Sequence, residues 1–94
     1  MERKVSIITG ASSGIGKALA FKYAKEGYAV ALAARSKAKL DELVEEIKRL
    51  GGVAIAIQCD VAIENDCINL INETVANFQR IDVLVNNAGI SMRS

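Results

Sequence analysis

This chain is expected to adopt an α/β fold of the Rossmann type, a three-layer arrangement around a parallel sheet of strand order 3-2-1-4. Three observations predict it. Short runs rich in Val, Ile and Ala alternate with stretches of helical periodicity along the whole length. The first run enters TGASSGIG at residues 9–16, a glycine-rich turn at a strand-to-helix junction. A second glycine-containing turn, Asn86-Asn87-Ala88-Gly89, leaves the last run. With 94 residues the chain makes one domain, 1–94, which is half of a doubly wound fold.

Residues 4–9 are rich in Val and Ile with weak alternation, as suits a buried parallel strand. Over 13–26, Ile15, Ala18, Leu19 and Tyr23 recur at helical spacing, and Gly27 follows as a C-terminal stop. Residues 29–34 form a second buried strand. Ser36 caps a helix whose apolar stripe is Leu40, Leu43, Val44, Ile47 and Leu50, ended by Gly51 and Gly52. Residues 53–57 are the third strand, and 64–79 the third helix, with Cys67, Ile71, Val75 and Phe78 on one face. Residues 81–85 complete the sheet. Right-handed crossovers put the first two helices on one face and the third on the other. Strands one and four are then expected to keep exposed apolar faces and an open edge.

The 51% hydrophobic content, 24% charge and net charge of +1 describe a soluble globular protein. Lysines and arginines are interleaved with acids, so no basic face is offered to nucleic acid. The longest apolar run, 28–34, falls far short of the roughly 20 residues of a membrane span, and the opening residues lack the apolar core of a secretory signal. There is no histidine, and Cys59 and Cys67 form no C-x-x-C pair. No metal site or disulfide framework is expected, and two reduced thiols suit a cytoplasmic protein.

The order 3-2-1-4 sets the turns at 10–16 and 86–89 side by side at the carboxyl edge, where open α/β sheets bind their ligands. Gly10 allows a tight exit from the strand, Gly14 a close backbone approach to a ligand, and Gly16 close packing of the new helix. The first-turn N–H groups of that helix lack internal partners and sit at its positive end, so phosphate is the natural occupant. A P-loop is excluded: five residues separate Gly10 from Gly16, and Ala18 stands where Ser or Thr would hold magnesium. The turn therefore points to a dinucleotide.

TGASSGIG at 9–16, Asp60-Val61 after the third strand and Asn86-Asn87-Ala88-Gly89 after the fourth resemble the short-chain dehydrogenase/reductase family, in order and over essentially the whole chain. The resemblance implies a nicotinamide dinucleotide. Gly10, Ser12, Ser13, Gly14, Ile15 and Gly16 would cradle its pyrophosphate and ribose. Asp60 would accept from the adenine amino group, with Val61 lining the same pocket. Asn87, Ala88 and Gly89 would run along the cofactor ribose, with Asn86 tying the fourth strand to its neighbour. Ala62 and Ile63 depart from the family pattern, which places a helix cap there. That loss costs about 1 kcal/mol.

Cofactor choice rests on the end of the second strand, where a carboxylate selects NAD and an arginine accommodates a 2′-phosphate. This chain reads Ala33-Ala34-Arg35-Ser36, with no acid, so NADP is expected over NAD, with Arg35 pairing to the phosphate. The implied activity is hydride transfer to or from a small carbonyl or alcohol substrate, in a protein expected to be a homo-oligomer. A non-catalytic dinucleotide-binding or interaction module is the alternative.

No catalytic residue is identified. The family's Tyr-x-x-x-Lys pair is not met: Tyr23 is followed four residues on by Gly27, and Tyr28 by Leu32. Ser91 directly follows the second turn, too early for the family's catalytic serine. The chain is expected to be a cofactor-binding half that lacks the proton relay hydride transfer needs. Purified as these 94 residues it should show no turnover. An NADPH-consumption assay with carbonyl substrates checks this, and any reduction above background contradicts it.

Overall fold

The computed structural model describes residues 3–88, in the order β1(Val5–Thr9), α1(Gly14–Lys25), β2(Ala29–Ala34), α2(Lys37–Arg49), β3(Val53–Gln58), α3(Glu64–Phe78) and β4(Val83–Asn86). The four strands form one parallel sheet in the order β3-β2-β1-β4, as the sequence predicts. Ile7 lies level with Ala31 and Leu84, and Thr9 with Ala33 and Asn86.

Strand alternation deals the core into two layers. Ile8, Val30, Leu32, Ala34 and Ala54 pack with Ala20 of α1 and Leu40, Leu43, Val44 and Ile47 of α2. Ile7, Ala31, Ala33 and Ile57 pack on the other side with Cys59 and Leu70. The α2 stripe is buried as its periodicity predicts, except Leu50, which is exposed at the helix end. Each fully buried Leu or Ile contributes about 1.5–3 kcal/mol, so this stripe outweighs any capping effect on the helix.

Three expectations about faces need correction. The inward residues of α1 are Gly16 and Ala20, with Leu19 and Tyr23 half-buried, whereas Ile15 and Ala18 are exposed. Small side chains let α1 lie close to the sheet. On α3 the buried residues are Leu70 and Thr74, while Ile71 and Val75 are exposed. Thr74 tolerates burial because its hydroxyl donates to the Leu70 carbonyl at 2.7 Å. Finally, β1 is buried at all five residues: β2 and β4 cover its edges, while Ile8 packs with α1 and α2 on one face and Ile7 with Leu70 of α3 on the other. Only β4 keeps an exposed apolar side chain, Leu84, which shares the α3 side of the sheet with Ile7.

The amino end of the sheet is fastened by Asp82. Its carboxylate accepts from the Val5 N–H at 2.8 Å and from Arg80 Nε and Nη2 at 2.9 and 2.8 Å. The Asp82 N–H in turn donates to the Val5 carbonyl at 2.8 Å, which joins the starts of β1 and β4. The Arg80 hydrogen bonds, then the Val5 N–H, hold the Asp82 carboxyl below its ordinary value of 3.8. A carboxylate depressed in the folded state adds stability above its unfolded pKa and loses it as pH falls through the folded one. Asp82→Asn should therefore unfold more easily than wild type at neutral pH, with the gap closing below about pH 4. Denaturant titrations across pH measure this, and a gap that does not change with pH contradicts it.

Candidate functional site

Gly10 follows β1 with φ +63°, a left-handed geometry that only glycine adopts freely. Its carbonyl turns back under the loop and accepts from Ser13 N–H at 3.4 Å, Ser13 Oγ at 3.2 Å and Asn87 Nδ2 at 3.1 Å. A side chain at Gly16 would overlap that carbonyl. The tight approach at Gly16 is thus to the loop itself and to Asn87, rather than to the sheet alone. Gly14 has open space around it, as a position facing a ligand requires.

Helix α1 starts without a side-chain cap: Ser13 is extended (φ −118°, ψ 159°) and its hydroxyl is committed to Gly10. No acid lies in the first turn. The first-turn N–H groups keep their positive end for an anion. Ile15, 59% exposed, lines the cleft they face.

The turn after β4 is locked to this loop. Thr9 Oγ1 lies 3.1 Å from Asn86 Oδ1 and 3.4 Å from the Val85 carbonyl as a donor, and accepts from the Ala88 N–H at 3.0 Å. Asn86 ties β4 to β1 as expected. Thr9, the first residue of the TGASSGIG segment, is a structural participant the sequence reading passed over.

The outer rim is built by β2 and β3. Arg35 and Ser36 follow β2, and Ser36 Oγ caps α2 by accepting from Lys39 N–H at 3.3 Å. Lys39 lines the cleft beside them. Sequence reasoning missed Lys39, although a signal existed. The first turn of α2 carries Lys37 and Lys39 and no acid, against the preference of a helix start for negative charge. After β3, Asp60 Oδ1 accepts from Ala62 N–H at 2.9 Å, and Asp60 N–H donates to Asp66 Oδ2 at 3.0 Å. Ile63 begins α3 without a side-chain cap. Cys59 is 2% exposed, and burial, with Cys67, Asp66 and Asp60 adding to it, pushes its thiol up to about 11.

These elements enclose an open cleft of about 600 Å³ at the carboxyl edge. Gly10, Ser12, Ser13, Ile15, Arg35, Asp60, Val61, Asn87 and Ala88 all line it, joined by Ala34, Ser36, Lys39 and Cys59. Gly14 and Gly16 belong to the helix start beneath it. Gly89 and Ser91 lie outside the described residues. A second concavity of about 620 Å³ opens at the amino edge among Arg3, Val5, Ala29, Val53 and Asp82. Among the described residues no helix N-terminus lines it, so the carboxyl cleft is the better anion site. Among the described residues no helix is long and apolar enough to cross a membrane.

Comparison with known proteins agrees with this geometry. The sequence model of the short chain dehydrogenase family matches residues 4–94. An 11-beta-hydroxysteroid dehydrogenase A of Sesamum indicum is 47% identical over 88 residues, covering 93% of this chain and 25% of that protein. The chain thus spans about a quarter of the length of that curated relative. A metagenomic short-chain oxidoreductase solved in complex with NADP superposes with a TM-score of 0.88 at 39% identity, over 96% of this chain and 41% of that one. A short chain dehydrogenase/reductase from Burkholderia phymatum, solved in complex with NAD, gives 0.85 at 30% identity, over 88% and 30%.

The glycines separate folding from ligand approach. Gly16→Ala should destabilise the chain by about 2 kcal/mol or more, because the new methyl overlaps the Gly10 carbonyl. Gly14→Ala should fold with stability within about 1 kcal/mol of wild type. Equilibrium unfolding of both variants is the measurement, and equal effects at the two positions contradict it.

Proposed function

The chain belongs to the short chain dehydrogenase family, and from that membership we propose that it is the cofactor-binding part of an NADP-dependent oxidoreductase. The cofactor would supply the hydride exchanged with a carbonyl or alcohol substrate. A hydroxyl/ketone pair of that kind is in keeping with relatives named hydroxysteroid dehydrogenases.

The residues fit the cofactor. The uncapped start of α1 offers N–H groups to a pyrophosphate, with Ser12 and Ser13 at its side. Asp60 and Val61 would hold the adenine, and Asn87, Ala88 and Gly89 the ribose on the nicotinamide side. These groups bind and orient. None of them is a proton relay, so the chain alone is read as inactive. A homo-oligomer belongs to the same reading, and Ile68, Ile71 and Val75 along α3 are apolar surface available for burial. Two free thiols suit a cytoplasmic setting.

The observation that carries NADP over NAD is the rim: Arg35, Ser36 and Lys39 line the cleft beyond β2, with no carboxylate at the strand's end. Relatives are known with either cofactor bound, and the rim chemistry is what favours NADP for this chain. A guanidinium and an ammonium there reward a 2′-phosphate. Calorimetric titration should show NADP binding at least about tenfold more tightly than NAD, since a charged hydrogen bond contributes about 1.5–3 kcal/mol. Arg35→Asp should swing the preference toward NAD. Equal affinities, or tighter NAD binding by wild type, sink the reading.

A further inference from the structure

The two ends of the carboxyl-edge cleft are chemically unequal. Beyond β2, the Arg35 guanidinium and the Lys39 ammonium line the cleft with no hydrogen-bond or ion-pair partner among the described residues. Arg35 is tied down through its carbonyl, which accepts from Gln58 Nε2 at 3.0 Å, and Lys39 through its N–H. Lys37, in the same turn, does pair, with Asp41 at 3.5 Å. Ser36 Oγ accepts from the Lys39 N–H at 3.3 Å, which leaves its own proton to donate.

At the β4 end the donors are already spent. Asn87 Nδ2 donates to the Gly10 carbonyl at 3.1 Å, and the Ala88 N–H to Thr9 Oγ1 at 3.0 Å. The charged residues lining the cleft are Arg35, Lys39 and Asp60, all beyond β2 and β3; among the described residues none lines it beside β1 or β4. A pyrophosphate at the start of α1 lies between these ends, so a dinucleotide puts one nucleoside at each. From β2 to β4 is two strand spacings, about 10 Å, or about one Debye length at 0.1 M salt. The charge that distinguishes an oxidised nicotinamide from a reduced one is thus largely screened from Arg35 and Lys39.

We infer that this chain reads the 2′-phosphoadenosine end of its ligand and is blind to the nicotinamide ring, an inference that rests on the cofactor reading above. Its ligand class is then the 2′-phosphorylated ADP-riboses, with or without a nicotinamide and in either redox state. Arg35, Ser36 and Lys39 supply the recognition, and Lys39 is a specificity residue for the 2′-phosphate separate from Arg35. Asn87 and Ala88 shape the far end without reading what occupies it.

Calorimetric titration of the 94-residue chain compares NADP, NADPH and 2′-phospho-ADP-ribose, the cofactor without its nicotinamide. The three dissociation constants should agree within about threefold, less than a typical hydrogen bond to the ring would produce. Lys39→Ala should weaken all three by one common factor of at least about threefold and leave ADP-ribose binding unchanged, which also shows that the variant is folded. A gap of about tenfold or more between NADP and NADPH, or between either and 2′-phospho-ADP-ribose, overturns the blindness to the ring while the NADP reading stands. A Lys39→Ala variant that loses as much affinity for ADP-ribose as for NADP overturns the role of Lys39. If NAD binds wild type as tightly as NADP, the NADP reading fails and the 2′-phosphate specificity with it. The ratio of NAD to ADP-ribose affinity then still decides the ring: near unity supports blindness, and about tenfold overturns it.

Discussion

The carbonyl oxygen of Gly10 is the point on which the arrangement of this molecule turns. Ser13 donates to it from one side and Asn87 from the other, while the first turn of α1 lies so close that only a hydrogen at Gly16 fits. Asn87 comes from 77 residues further along the chain. One oxygen therefore joins the turn after β1 to the turn after β4 and sets the angle at which α1 leaves the sheet. Each hydrogen bond contributes only about 0.5–1.5 kcal/mol, so no single one decides the geometry. The steric demand at Gly16 is sharper, and it keeps the helix start open toward the cleft. Thr9 repeats the connection one residue earlier, through Asn86 and the Ala88 N–H.

Charge at the cleft follows from that geometry. Neither α1 nor α2 has an acid in its first turn, and α2 places lysines there. With Arg35 beside them, these are like charges gathered at the positive end of a helix, an arrangement that costs a few tenths to about 1 kcal/mol per group. Such a cost is expected where function overrides local stability. A dinucleotide with a 2′-phosphate, bound as proposed, would reverse its sign, bringing one anion to α1 and another to the rim of α2. The fold is stabilised elsewhere, by the two core layers and by the Asp82 clamp at the opposite edge.

Much of this was legible in the sequence because its signals are local. Glycine spacing at 10–16, the Ser36 cap and the α2 stripe each act within a turn or two of the chain, and the strand order is the usual one for a Rossmann half-fold, with crossover handedness placing the helices. What escaped depends on tertiary neighbours. Thr74 is buried because it bonds to its own helix, which a polarity pattern does not reveal. Gly16 and Ala20 form the inner face of α1 because the sheet lies close, although Ile15 has the larger apolar surface. Lys39 joins the rim only when α2 is placed beside the end of β2.

The central claim is that two turns distant in sequence converge into one NADP site. A titration of the isotopically labelled chain with NADP, followed by amide chemical shifts, tests it most directly. The account predicts shifts concentrated at Gly14, Ile15, Gly16, Arg35, Lys39, Asp60, Val61 and Asn87, all around the carboxyl-edge cleft. Shifts confined to the amino edge around Arg3, Ala29 and Val53, or none at saturating NADP, would contradict it.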